Sequence, residues 1–183
     1  WRIDNVEFAS PWAIVIIGIT YGVIDNCTFT ANDNADFIHI YSYTQQDTTF
    51  MGQDAWNLPL TLGTKNAVYI ENCTFTGNAD WAQVLDLWMG ARAVFRYNNV
   101  TRVGFITVHP AVSQWRAGHS LEVYNNVFTG GGLYRPDDIR GGTGVIFNNL
   151  VTGYQSNSFH IRNDRSTNMA GTYGWCNGSS AVD

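Results

Sequence analysis

The feature that most constrains this chain is that it repeats itself. The segment IDNCTFTANDNADFIHI at 24–40 is echoed at 70–87 by IENCTFTGNADWAQVLDL. Further copies are Ile3-Asp4-Asn5-Val6-Glu7-Phe8, Val123-Tyr124-Asn125-Asn126-Val127-Phe128 and Ile146-Phe147-Asn148-Asn149-Leu150-Val151, with a degenerate one, Phe95-Arg96-Tyr97-Asn98-Asn99-Val100. The aligned positions 5, 26, 72, 97, 125 and 148 are separated by 21, 46, 25, 28 and 23 residues. A period of roughly 20 to 50 residues marks a solenoid, whose units cannot bury an apolar side alone and stack on their neighbours. Within each copy Ile, Val and Phe alternate with polar residues at period two, so the units are strands.

Parallel stacking sets successive coils ~4.8 Å apart and lines up equivalent residues in columns. The asparagines at 5, 26, 72, 125 and 148 are therefore expected to be buried and to pass amide hydrogen bonds from coil to coil. On this register Asn72→Ala lowers stability and Asn78→Ala is nearly silent. The expected fold is all-β, a right-handed parallel β-helix of six to seven coils. It forms a single domain over 1–183 and reads as a piece of a longer chain. The interval of 46 exceeds the 25 of a neighbouring coil by 21 residues, which places an inserted loop at 42–62. A solenoid accepts insertions only at its corners, where they often shape a binding face. A β-sandwich with chance echoes of the motif is the alternative fold.

Composition agrees with strands and turns, with 18 glycines, 14% aromatic residues and only 14% charged ones. One lysine and a net charge of -5 leave no broad basic patch, so nucleic acid is not an expected partner. The longest apolar run, WAIVIIGI at 12–19, has strand length and falls well short of the ~20 residues of a membrane span. No zinc spacing is formed by Cys27, Cys73 and Cys176.

If Ile14 and Ile16, Ile38 and Ile40, Leu85 and Leu87, and Ile106 and Val108 point inward, the residues between them must point outward. One outward column then contains Val15, His39, Asp86, Thr107, a residue near Arg135, and His160. The next contains Ile17, Tyr41, Trp88, His109, a residue near Asp137, and Arg162. Histidines and carboxylates can move protons, arginines pair with sugar acids, and Trp88 and Tyr41 offer flat surfaces to a pyranose. The candidate catalytic residues are thus Asp86, His109, Asp137 and His160. Candidate substrate-binding residues are His39, Tyr41, Trp88, Arg135 and Arg162, and no metal ligands are assigned. Equally, such a column can be a set of mutually neutralising exposed groups.

The repeat, spread over 3–162, resembles the right-handed parallel β-helices of the pectin-lyase-like superfamily. The resemblance implies an extracellular or cell-surface protein whose partner is a polysaccharide, cleaved by a lyase or a glycoside hydrolase. A hydrolase needs two carboxyls ~6.5–9.5 Å apart for inversion. Asp86 and Asp137, two coils apart, are placed at about 9.6 Å. A lyase would use His109 or His160 as base beside Arg135 or Arg162. The catalytic residues of the pectin hydrolases cannot be carried over. Asn34-Ala35-Asp36, Gly118-His119-Ser120 and Ile161-Arg162-Asn163 depart from their motifs, and Asp137-Asp138 falls in the wrong order. No cofactor is expected; calcium is the one ion the resemblance admits, although no dense aspartate cluster stands out. The competing function is a non-catalytic segment of a surface fibre, adhesin or tailspike, with a second copy or a longer parent chain as its partner.

Four Asn-x-Ser/Thr sequons, at Asn26, Asn72, Asn99 and Asn177, match the glycan acceptor pattern. Asn26 and Asn72, as ladder residues, are expected to stay unmodified. Cys27 and Cys73 are expected to stack as small buried hydrophobes rather than to form a disulfide. Cys176 would find a partner outside this chain, in keeping with an oxidising compartment.

Overall fold

A computed structural model describes residues 1–10, 12–30, 36–44, 51–111, 115–133, 137–156 and 158–162, with backbone alone at 80, 81 and 105. The chain is an all-β parallel solenoid of about five turns, with 54% of residues in strands. The first face stacks Arg2–Asp4, Gly22–Asp25, Val68–Glu71, Arg92–Arg96, Ser120–Tyr124 and Thr143–Phe147 in that order. Six rungs bound five turns, and every pairing among them is parallel.

Each coil turns from the first face to the second at one residue of left-handed backbone. These residues are Asn5, Asn26, Asn72, Tyr97, Asn125 and Asn148, all with φ between 52° and 57°. Asparagine is one of the few residues with a Cβ that adopts that conformation readily, which is why the repeat favours it. The expected ladder is therefore shifted by one residue. Asn26 and Asn72 are exposed, and the inward position is the next one, occupied by Cys27, Cys73, Asn98, Asn126 and Asn149. Tyr97 is no defect, because its neighbour Asn98 carries the ladder.

The ladder has a regular grammar. The Oδ1 atoms of Asn98, Asn126 and Asn149 accept the backbone N–H groups of Cys73, Asn98 and Asn126 at 2.9, 2.9 and 3.0 Å. Their Nδ2 groups donate to the carbonyls of Ile70, Phe95 and Val123, each at 2.9 Å. Cysteine continues the same pattern more weakly. Cys73 Sγ accepts the Cys27 N–H at 3.4 Å and donates to the Ile24 carbonyl at 3.7 Å. Both thiols are buried and free, and burial pushes the Cys73 thiol up to about 12. Cys176 and Asn177 lie outside the described residues. The exposure of Asn26 and Asn72 removes burial as a reason for them to escape modification.

The apolar columns interlock. On the second face Phe8, Phe29 and Phe75 stack at 4.8 and 4.7 Å, and Val100 interrupts them before Phe128. In that same coil the first-face column of Ile3, Ile24 and Ile70 changes to Phe95, whose ring reaches Phe75 at 5.5 Å and Phe128 at 6.2 Å. In that coil the ring lost from the second face is thus supplied from the first, which preserves core volume. The strands Thr74–Trp88 and Asn99–Val108 run through both the second and third faces, with register shifts where they bend.

Within 42–62 the described residues include the short helix Gln53–Asn57. Buried Arg92, at the start of the first face, donates to the carbonyls of Ala55, Leu58 and Pro59 and to Thr61 Oγ1 at 3.1, 2.8, 2.7 and 3.3 Å. Arg92→Lys should release this segment, since one ammonium cannot span four acceptors in a fixed fork. Amide exchange over 53–61 should then accelerate while the ladder amides at 73, 98 and 126 stay protected; unchanged exchange at 53–61 would contradict the clamp.

Candidate functional site

The third face delivers the two outward columns in register. Val15, His39, Asp86, Thr107 and Asp138 are consecutive partners, and the bridge from Ile139 to Ile161 adds His160. The second column runs Ile17, Tyr41 and Trp88, then His109, Arg140 and Arg162, whose backbone N–H groups continue the ladder to Leu87, Val108 and Ile139. His39, Asp86, Trp88, His109, His160, Tyr41 and Arg162 are thus brought together as expected. Asp137 is not. It pairs with Ile106 in the inward column, is 3% exposed, and accepts the His160 backbone N–H at 2.6 Å. Its neighbour Asp138 takes the outward place. Arg135 lies outside the described residues, and Arg140, which the sequence reading left out of the site, takes the cationic position beside His109.

Asp86 is the hub. Its Oδ2 accepts the Trp88 indole N–H at 2.6 Å and lies 3.4 Å from His39 Nδ1, while Oδ1 lies 3.3 Å from His109 Nε2. Tyr41 Oη is 3.1 Å from His39 Nδ1, and Asp36 faces the other side of that ring at 3.4 Å. Trp12 stacks flat on His39 at 4.1 Å and 4°. Trp88 stacks on His109 and meets the edge of Trp115 at 5.4 Å. These rings close over the hub, so His39 and Asp86 are only 2% and 3% exposed although their positions point outward.

Burial pushes the Asp86 carboxyl up to about 7, with Trp88 and His39 pulling the other way and Asp36 reinforcing the rise. Burial, then the Arg140 guanidinium at 3.1–3.2 Å, holds His109 far below its ordinary range and therefore neutral. His119, outside the two columns and against the Trp56 ring, is held down to about 4 by burial and Arg92. Asp138 lies between two arginines and a histidine. Arg140 Nε is at 3.5 Å, His160 Nδ1 at 3.0 Å and Arg162 Nη2 at 3.4 Å.

These shifts oppose one another in pH. A carboxyl raised on folding binds its proton more tightly in the native state, so the Asp86 contribution falls as pH rises from 3.8 to about 7. The two depressed histidines work in the other sense, adding stability as pH rises toward 6.5 and losing it below. Asp86→Asn removes only the first effect. Relative to wild type, the variant should gain stability progressively between pH 4 and 7, on the order of 4 kcal/mol in all. Denaturant melts across that window check this, and a constant difference would contradict a raised Asp86.

Trp12, Asp36 and Trp115 also belong to the site, and the sequence reading missed all three. Trp12 precedes the apolar strand that masked it, and Trp115 is carried in by the insertion, through the pairing of Met51 with Trp115. Among the described residues no group of three or more His, Cys, Asp or Glu side chains is placed to hold a metal ion. No helix among them is long and apolar enough to cross a membrane.

Fold and site define a parallel β-solenoid with an ionisable, aromatic strip on one face. Comparison with protein-family models, curated proteins and solved structures gives no match.

Proposed function

We propose that this is an extracellular or cell-surface β-helix of the pectin-lyase-like kind that binds polysaccharide along the third-face strip and cleaves it there by hydrolysis. One observation carries the reading: two carboxyls occupy one outward column two coils apart. Asp86, raised to about 7, keeps a proton near neutrality and suits a general acid. Asp138, among Arg140, His160 and Arg162, suits a base that activates water. Two coils give a separation of about 9.6 Å, at the outer edge of the ~6.5–9.5 Å range of inverting glycosidases. His160 and Arg162 hold Asp138 in position, and His109 and Trp88 hold Asp86.

The aromatic rim supplies the sugar platforms. Trp12 and Trp115 are 56% and 37% exposed, and Tyr41 pairs in register with Trp88. Incubating the protein with a panel of neutral and acidic polysaccharides tests the reading. New reducing ends that disappear in Asp138→Asn support it, and no product from a folded wild type counts against it.

A second reading, a non-catalytic segment of a surface fibre, is favoured by the last described coil. Val145, Phe147, Leu150 and Ile161, spread over its three faces, are 38, 46, 57 and 67% exposed there, apolar surface open to a further coil or a second copy.

A further inference from the structure

Asp86 is set too deep to meet a glycan directly. Its side chain is 4% exposed, against 18% for His109, which stands in the outer column one coil further on. A proton leaving Asp86 therefore needs a carrier. Oδ2 already accepts the Trp88 indole N–H at 2.6 Å, so the hydrogen of a neutral Asp86 belongs on Oδ1. Oδ1 is buried, has no hydrogen-bond donor on it among the described residues, and lies 3.3 Å from His109 Nε2. His39 is no alternative: it faces Oδ2, is 2% exposed, and lies under the Trp12 ring at 4.1 Å.

An imidazole can pass a proton by charging to imidazolium or by exchanging tautomers. Here the first route is closed. Trp88 stacks on His109 at 3.4 Å, and Arg140 Nη2 sits 3.2 and 3.1 Å from Nδ1 and Nε2, so a charge on the ring would meet a guanidinium in a half-buried setting. The second route stays open, because it leaves the ring neutral throughout. The other ionisable groups facing the pair are Asp36, His39 and Tyr41 from the coil before and Arg140 from the coil after. Asp36 pushes the Asp86 carboxyl up, while His39 and Arg140 pull it down.

We propose that Asp86 and His109 form a proton relay that works by tautomer exchange: Asp86 Oδ1–H passes its proton to His109 Nε2 as His109 Nδ1–H passes its own to the leaving glycosidic oxygen. The C–O bond breaks with its electron pair going to that oxygen, the negative charge ends on Asp86, and the bared Nδ1 can accept from Arg140. Delivery to a glycan rests on the hydrolysis proposed above; the exchange itself does not. Heteronuclear NMR of the imidazole nitrogens in the full chain, titrated on both sides of about pH 7, tests the exchange. The His109 hydrogen should move from Nδ1 to Nε2 as the Asp86 carboxyl carbon titrates, with no imidazolium formed. In Asp86→Asn the amide oxygen accepts from Trp88 and the NH₂ faces Nε2, which should fix the hydrogen on Nδ1. A tautomer that stays put while Asp86 ionises, or an imidazolium in that range, would overturn the relay. His109→Gln supplies an acceptor and a donor but cannot exchange them. It should lower kcat on a cleaved glycan about 10³-fold, as far as Asp86→Asn, with no further loss in the double variant; undiminished kcat would also overturn the relay. Exchange in a folded protein that cleaves no glycan would support the pair and contradict hydrolysis, so the two fail separately.

Discussion

Replacing Asn126 by alanine is expected to lower the stability of the fold by about 3 kcal/mol or more, whereas Asn125→Ala should cost only about 1 kcal/mol. The two residues are adjacent, share a chemistry and differ only in which way they face. Asn126 is 1% exposed; its amide donates to the carbonyls of Phe95 and Tyr124, and its Oδ1 accepts the Asn98 backbone N–H. Truncation strands those groups in the core with no water to replace the amide, at ~1–3 kcal/mol each. Asn125 loses only its tolerance of a φ of 57°, and glycine there should be neutral or better. Chemical denaturation of the three variants checks this, and comparable losses in Asn125→Ala and Asn126→Ala would mean that the ladder had been placed on the wrong residue. For the same reason Asn72→Ala should cost about 1 kcal/mol, from its left-handed backbone rather than from a buried amide.

The second large effect concerns chemistry. If Asp86 is the acid of the proposed hydrolysis, Asp86→Asn should lower kcat on the cleaved glycan by about 10³-fold, within the range of general acid catalysis. The amide preserves the oxygen that accepts the Trp88 indole N–H, so the Trp88–His109 stack should survive and KM should change little. The wild-type rate should fall as pH rises past about 7, where Asp86 gives up its proton. That alkaline limb should be missing from the residual activity of the variant. A variant with undiminished kcat would remove Asp86 from the chemistry.

The columns were legible in the sequence because period-two alternation dictates which residues share a face, and recurrence of the motif dictates which of them stack. That logic placed His39, Asp86, Thr107 and His160 in one line from separations of 21 to 53 residues. It failed by one residue in two places, for different reasons. At the corner, the conserved-looking asparagine marks a backbone conformation rather than a buried amide, and the doublets Asn125-Asn126 and Asn148-Asn149 carried the signal that the second residue faces in. In the coil holding Asp137, alternation is interrupted before the strand begins, so parity could not be counted from upstream. Within Asp137–Ile139 itself the register is regular, and Asp138 and Arg140 share one outward side. Closure of the site by Trp12 and Trp115 was not legible at all, because the approach of Trp12 to His39, and of Trp115, paired with Met51, to Trp88, depends on three dimensions that no local period encodes.

The anomeric configuration of the first product released from a cleaved polysaccharide, read by proton NMR before mutarotation, tests the central claim most directly. Carboxyls held two coils apart, with water between base and sugar, predict an inverted anomer. A retained anomer, an unsaturated product, or no cleavage of any glycan by the folded protein would contradict an acid and base joined by the stacking of Asp86 over Asp138.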